Sequence, residues 1–235
     1  MKKRMIAGTF ITLFLLAFCL AQSPLDRILG KTQNSSLSND KITAGLKEAL
    51  KVSTGNAVAS TGRPDGYLKN AAIKILLPPK LQTVGKGMRM LGQGRQVDEL
   101  EVGMNRAAEQ AAPAAKQIFI NALTKMTFTD ARQILSGNQT AATEYFKRTS
   151  TAELTTSFTP IVHKSMENAG VVKQYNQLIQ NPMAAKAGGS FNLDQYVVGK
   201  ALDGLFYMMG EEEKKIRKDP AAQTTSLLKE VFGKK

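Results

Sequence analysis

Four groups of side chains in this chain are of types that could do chemistry. The first is the single histidine, His163, because hydrolases so often need one. It shares a helical stretch with Leu154, Phe158, Ile161 and Ser165. At about 100° per residue it points roughly away from that apolar side, as a surface residue would. One histidine and one cysteine in 235 residues leave little from which to build a histidine triad or a zinc site of the usual type. No metal and no cofactor is expected.

The second group is a polar ridge. Asp98, Glu101, Asn105 and Glu109 follow one another at helical spacing beside an apolar face of Val97, Leu100, Met104, Ala107, Ala108 and Ala111, with Arg106 adjacent. Carboxylates so placed could form a cation site or an acid pair. Acid chemistry on sugars would need two facing carboxylates at a set separation. The ordinary expectation for such a ridge is a solvated flank with surface salt bridges.

The third group is a stripe. Tyr196, Lys200, Asp203 and Tyr207 fall together on a helix, opposite Val197, Val198, Ala201, Leu205, Met208 and Met209. Two tyrosines bracketing a Lys/Asp pair are expected to touch another helix of the domain, a ligand or a partner.

The fourth is electrostatic. Residues 63–95 carry Arg63, Lys69, Lys74, Lys80, Lys86, Arg89 and Arg95 against the single acid Asp65 before residue 95. Glycines are interleaved among them. Backbone N–H groups in such a stretch can approach an anionic oxygen. The phosphate-loop patterns fail, however: Gly92 is followed by Gln93 where a lysine is required, and no third glycine completes a dinucleotide fingerprint. Lys74, Lys80, Lys86, Arg89 and Arg95 remain as candidates for a nonspecific anionic contact. The alternative is a flexible, basic, solvated connection.

The elements that would position these groups are helical. Ser38, Asn39 and Asp40 offer N-cap residues for a helix with Ile42, Leu46, Ala49, Leu50 and Ser53 on one face. That helix runs to about Ser60, and Gly62-Arg63-Pro64-Asp65-Gly66 ends it. Ile73-Lys74-Ile75-Leu76-Leu77 alone has a strand's composition, and Pro78-Pro79 stops it. One such segment makes no sheet, so an isolated extended stretch or small hairpin is expected. Further helices are predicted near 79–91, 95–111, 113–126, 129–136, 139–149, 151–169, 171–180, 192–217 and 222–232. The fold class is therefore mainly α: one multi-helix domain over 38–235.

The N-terminus bounds the function. Met1-Lys2-Lys3-Arg4 precedes an apolar run from Met5 to Leu20, closed by Ala21. That is the layout of a secretory leader, and the run falls short of the roughly 20 residues that span a bilayer. We expect a leader over 1–21, a polar linker over 22–37, and an exported, periplasmic mature chain without a transmembrane span. A lipid-anchored form through Cys19 is the alternative, although Phe18 stands where acylation normally wants a small residue. Cleavage after Ala21 would leave no cysteine, hence no disulfide.

Removing 1–21, which holds Lys2, Lys3 and Arg4 and no acid, takes the net charge from +13 to +10. Such a balance favours anionic partners. Export makes anionic lipid or cell-wall polymer the expected class and nucleic acid an unexpected one; a protein partner is also open.

Several stretches together are similar to a known family. They are Gly45 to Leu50, Ile73 to Pro78, Gln96 to Glu101, Met104 to Glu109, Ile134 to Gly137, Ala141 to Phe146, Gln174 to Asn176, Ala201 to Phe206 and Val231 to Gly233. In order and spacing the chain resembles an uncharacterised family of exported bacterial proteins, a domain of unknown function in the four-thousand series, over about 38–233. The resemblance implies an exported helical domain and assigns no activity to any residue.

The expectation is thus a non-enzymatic envelope protein that binds an anionic surface or a partner protein. One alternative is a carrier of small apolar ligands between helices, with ten methionines giving adaptable packing. Another is an envelope hydrolase using Glu109 with Asp98 or Glu101.

Overall fold

A computed structural model describes residues 39–180, 191–223 and positions 226 and 229. The leader, the linker and most of the helix expected at 222–232 lie outside the described residues.

The described residues form one helical domain. In chain order the helices are α1 (Asn39–Gly62), α2 (Pro79–Met90), α3 (Gly94–Ala111), α4 (Ala115–Lys125), α5 (Phe128–Ser136), α6 (Ala141–Asn168), α7 (Val171–Ile179) and α8 (Leu193–Lys218). Single 3-10 turns sit at Ala112–Ala114 and Pro220–Ala222. No strand occurs among the described residues; Ile73 ends a turn, and residues 74–78 form a connection without a ladder, with Ile75 and Leu77 buried and Lys74 and Leu76 exposed.

Packing follows the apolar spacing. Leu46, Ala49, Leu50, Ser53, Ala57 and Val58 form the buried face of α1. The long helix α8 packs chiefly on α1 and α6, and α3 lies against α6. Three of these layers meet at aromatic rings. Phe119 of α4 stands edge-on to Phe146 of α6 at 5.2 Å and to Phe206 of α8 at 6.0 Å between centroids. Such geometry adds to the burial that drives the core together.

Two expectations change. The helices expected at 139–149 and 151–169 are one helix, α6, which also runs through Pro160. The Ser and Thr hydroxyls of this stretch serve the helix they sit in. Thr149, Thr151, Thr155, Thr156 and Thr159 each donate to the carbonyl four residues earlier. Ser150 is buried in the core.

The acidic end of α8 is only partly solvated. Glu211 and Glu212 pair with Lys214 and Lys215. Glu213 is buried and turns inward to the start of α6. There its carboxylate accepts from the backbone N–H groups of Ala142 at 3.0 Å and Thr143 at 2.9 Å. Those are N–H groups a helix start leaves without an internal partner.

The caps are Thr127, whose hydroxyl accepts from the Asp130 N–H in a capping box, and Asn192, whose side chain accepts from Gln195. The α5 cap lies two residues before the start expected for that helix at 129, and Asp130 closes the box from inside the helix.

Candidate binding groove

The polar ridge of α3 is the scaffold of the site, and it is not a solvated flank. Glu101, Asn105 and Glu109 are buried, because the segment 65–77 lies across them. Turns within the segment take up the N–H groups of Gly66, Lys69, Asn70, Ile73 and Lys74, and α3 side chains take up others. Glu109 Oε1 accepts the N–H groups of Tyr67 and Leu68, both at 3.1 Å. Asn105 accepts the Ile75 N–H at 2.9 Å and donates to the Ile75 carbonyl at 2.8 Å. Glu101 accepts the Leu77 N–H at 3.3 Å. Asp98 alone stays at the surface, where it pairs with Arg89 at 2.7 Å.

The turn that enters this segment is held by charge. Arg106 bridges Glu109 Oε2 at 2.6 Å and Asp65 at 2.7 Å. Asp65 has a left-handed backbone, φ 65°, which aspartate tolerates better than most residues. Lys69 and Arg106, hydrogen-bonded to it, hold its carboxyl below the usual range.

On its other side the segment faces α8. Tyr67 is fully buried, and its hydroxyl donates to the Ala201 carbonyl at 2.5 Å. Burial pushes its pKa far up, so it remains a phenol donor. Gly204 permits this approach: a Cβ there would stand 2.6 Å from the Tyr67 ring and 3.1 Å from Ile73 Cβ. The Tyr196 hydroxyl donates to the Leu76 carbonyl at 3.0 Å.

Between the segment and α8 lies a groove of about 420 Å³, within the range of small-ligand and peptide sites. All four stripe residues, Tyr196, Lys200, Asp203 and Tyr207, line it, and Lys74 faces them from the segment. Leu76 and Tyr207 are large side chains left 48% exposed there. The sequence placed Lys74 and the stripe in separate groups; the fold joins them. Lys200 reaches Asp203 at 3.4 Å.

Sequence reasoning missed Leu76, Pro79 and Gln82 as lining residues. The alternation of 73–77 was the available signal, since it sets Lys74 and Leu76 on one side and Ile75 and Leu77 on the other.

The other candidates are placed elsewhere. Lys80 and Lys86 are exposed on α2. Arg89 pairs with Asp98 and Glu101, and Arg95 with Glu99. Lys74, Lys80 and Lys86 carry no ion pair among the described residues. Asn105 and Glu109 lie beneath the segment, with their polar atoms engaged by this chain's own backbone and by Arg106. His163 is exposed and paired with Asp194 at 2.6 Å and Glu167 at 3.3 Å. Among the described residues, no three His, Cys, Asp or Glu side chains stand close enough to hold a metal ion, and no helix is long and apolar enough to cross a membrane.

Fold and groove define a helical domain with one irregular strap, residues 65–77, laid over its third helix. The chain belongs to the family described as a protein of unknown function, DUF4197, whose model matches residues 36–233. No curated protein and no solved structure matches it.

Proposed function

We propose that this is an exported, non-enzymatic protein of the cell envelope that docks a partner protein in the groove between the strap and α8. The observation that carries the reading is the convergence of Lys74, Leu76, Tyr196, Lys200 and Tyr207 on one concave surface. Tyrosines with exposed apolar area are usual anchors of protein interfaces, and lysines beside them steer and select a partner by charge. The basic leader and apolar run of Met1 to Ala21 support export. The engagement of Glu101 and Glu109 by backbone N–H groups argues against a carboxylate hydrolase at α3.

A photoreactive phenylalanine at position 207 of the full chain, expressed in cells, tests the reading. A discrete protein adduct should form from position 207 and not from exposed Lys116 on α4. It should fade when Lys200→Glu is added. Adducts from both positions, or from neither, would remove the groove from the argument. A reporter active only after export, fused behind residues 1–38, tests the localisation.

The three lysines without an ion pair among the described residues favour a second reading, in which Lys74, Lys80 and Lys86 draw the domain to an anionic lipid or cell-wall surface while the groove engages its partner.

A further inference from the structure

The strap has two edges, and only one is used. Asn105 takes both the N–H and the C=O of Ile75, and Glu101 takes the N–H of Leu77. A trans peptide points its C=O and N–H in opposite directions. The Lys74 carbonyl therefore faces away from α3, because the Ile75 N–H faces toward it. The Leu76 N–H faces away by the same reasoning, because the Ile75 carbonyl faces α3. The Leu76 carbonyl follows suit, and its bond from Tyr196 on α8 identifies that direction as the groove. Among the described residues, neither the Lys74 carbonyl nor the Leu76 N–H has a hydrogen-bond partner.

A free C=O at one residue and a free N–H two residues on is the pattern a parallel strand pairs with, its own residue standing opposite the one between them. The edge is short. Pro78 and Pro79 lack N–H groups and end it, and the Lys74 N–H is taken by the Asn70 carbonyl. The neighbouring charge is positive: Lys74 has no acid beside it, and the one acid in the groove, Asp203, faces Lys200.

We infer that the groove takes an extended acidic peptide segment of its partner, added as a parallel strand along Lys74-Ile75-Leu76. The incoming residue opposite Ile75 donates to the Lys74 carbonyl and accepts from the Leu76 N–H. Acidic side chains of the segment meet Lys74 and Lys200, and an apolar one rests on Leu76 and Tyr207. Main-chain pairing supplies affinity and the side-chain contacts supply selectivity. The inference rests on the groove being the docking site.

A random dodecapeptide display library selected on the purified chain is the test. Selected peptides should be rich in Asp, Glu and β-branched residues, and Tyr207→Ala should weaken them. Leu76→Pro, which removes the N–H and keeps the carbonyl, should weaken them at least tenfold, whereas Leu76→Ala should spare most of the binding. Methylating one backbone nitrogen of the peptide should abolish binding in one alternate register and not in the other. If Leu76→Pro fails to fold by circular dichroism, the methylated peptides on the unaltered chain carry the test.

Peptides weakened by Tyr207→Ala but indifferent to Leu76→Pro and to methylation would overturn strand addition and leave docking in the groove standing. A library yielding no Tyr207-dependent peptide, with the crosslink at 207 intact, would overturn the inference alone. Loss of both would overturn the reading of the groove as well.

Discussion

Glu109 caps Tyr67. The carboxylate on α3 accepts the Tyr67 N–H at 3.1 Å across 42 residues of chain, and with Leu68 it fixes where the strap begins. The same carboxylate is only 4% exposed and holds Arg106 with its second oxygen. Glu109→Ala would strand two backbone donors and loosen Arg106 at once. We expect a loss of about 3 kcal/mol in urea unfolding. Glu109→Gln keeps an acceptor and should cost about 1 kcal/mol. Asp98→Ala, which removes an exposed pair on the same helix, should cost less than about 0.5 kcal/mol. Equal effects at 98 and 109 would show that the strap is not held this way.

Two glycines of α8 make a matched pair. At Gly199 an added Cβ meets nothing within 4 Å, whereas at Gly204 it meets the buried Tyr67 ring at 2.6 Å. Helix propensity alone favours alanine at both by about 1 kcal/mol. Gly199→Ala should therefore raise the unfolding midpoint. Gly204→Ala should lower stability by about 1–2 kcal/mol net, since overpacking a filled site costs more than propensity returns. It should also displace Tyr67 and open the groove, visible as faster exchange of the Tyr67 and Leu68 amides.

His163 links α6 to the first turn of α8. The hydrogen bond that its ring N–H donates to Asp194, then the charges of Asp194 and Glu167, raise its pKa above the ordinary value. A raised folded pKa means the attraction contributes fully below the unfolded value of about 6.5 and fades as pH climbs through the folded value. The stability advantage of the unaltered chain over His163→Gln should be present at about pH 5 and gone by about pH 9. Asp194→Asn should bring the titration of the ring, followed by NMR, back toward 6.5 or so. An unchanged titration would exclude Asp194 as the cause.

Lys74, Lys80 and Lys86 are exposed and carry no ion pair among the described residues, whereas Arg95 is held by Glu99. At about 1 kcal/mol per basic residue near an anionic surface, reversing the three lysines to Glu should weaken co-sedimentation with anionic vesicles by at least about 100-fold. Arg95→Gln should change it little. The wild-type pelleting should fall with added salt. Pelleting of the triple variant equal to wild type would confine the lysines to solvation.

Most of the helical plan was legible because amphipathic spacing is a local property. Leu46, Ala49 and Leu50, or Val97, Leu100 and Met104, select their face whatever they pack against. The stripe on α8 was legible for the same reason. The expected break between 149 and 151 does not occur, because the threonine hydroxyls there donate back into the helix and the stretch packs against α3, α4 and α8.

The polar ridge marks the limit. Spacing alone determined that Glu101, Asn105 and Glu109 share one face of α3, that Tyr196, Lys200, Asp203 and Tyr207 share one face of α8, and that Lys74 and Leu76 alternate with Ile75 and Leu77. The tertiary structure decided what covers each face. A buried irregular segment must find partners for its N–H and C=O groups, and those partners came from a helix 24 to 42 residues away in sequence. That need turned a predicted solvated flank into an anchor. It also laid the strap close enough to α8 for Lys74 and the tyrosines to share one groove.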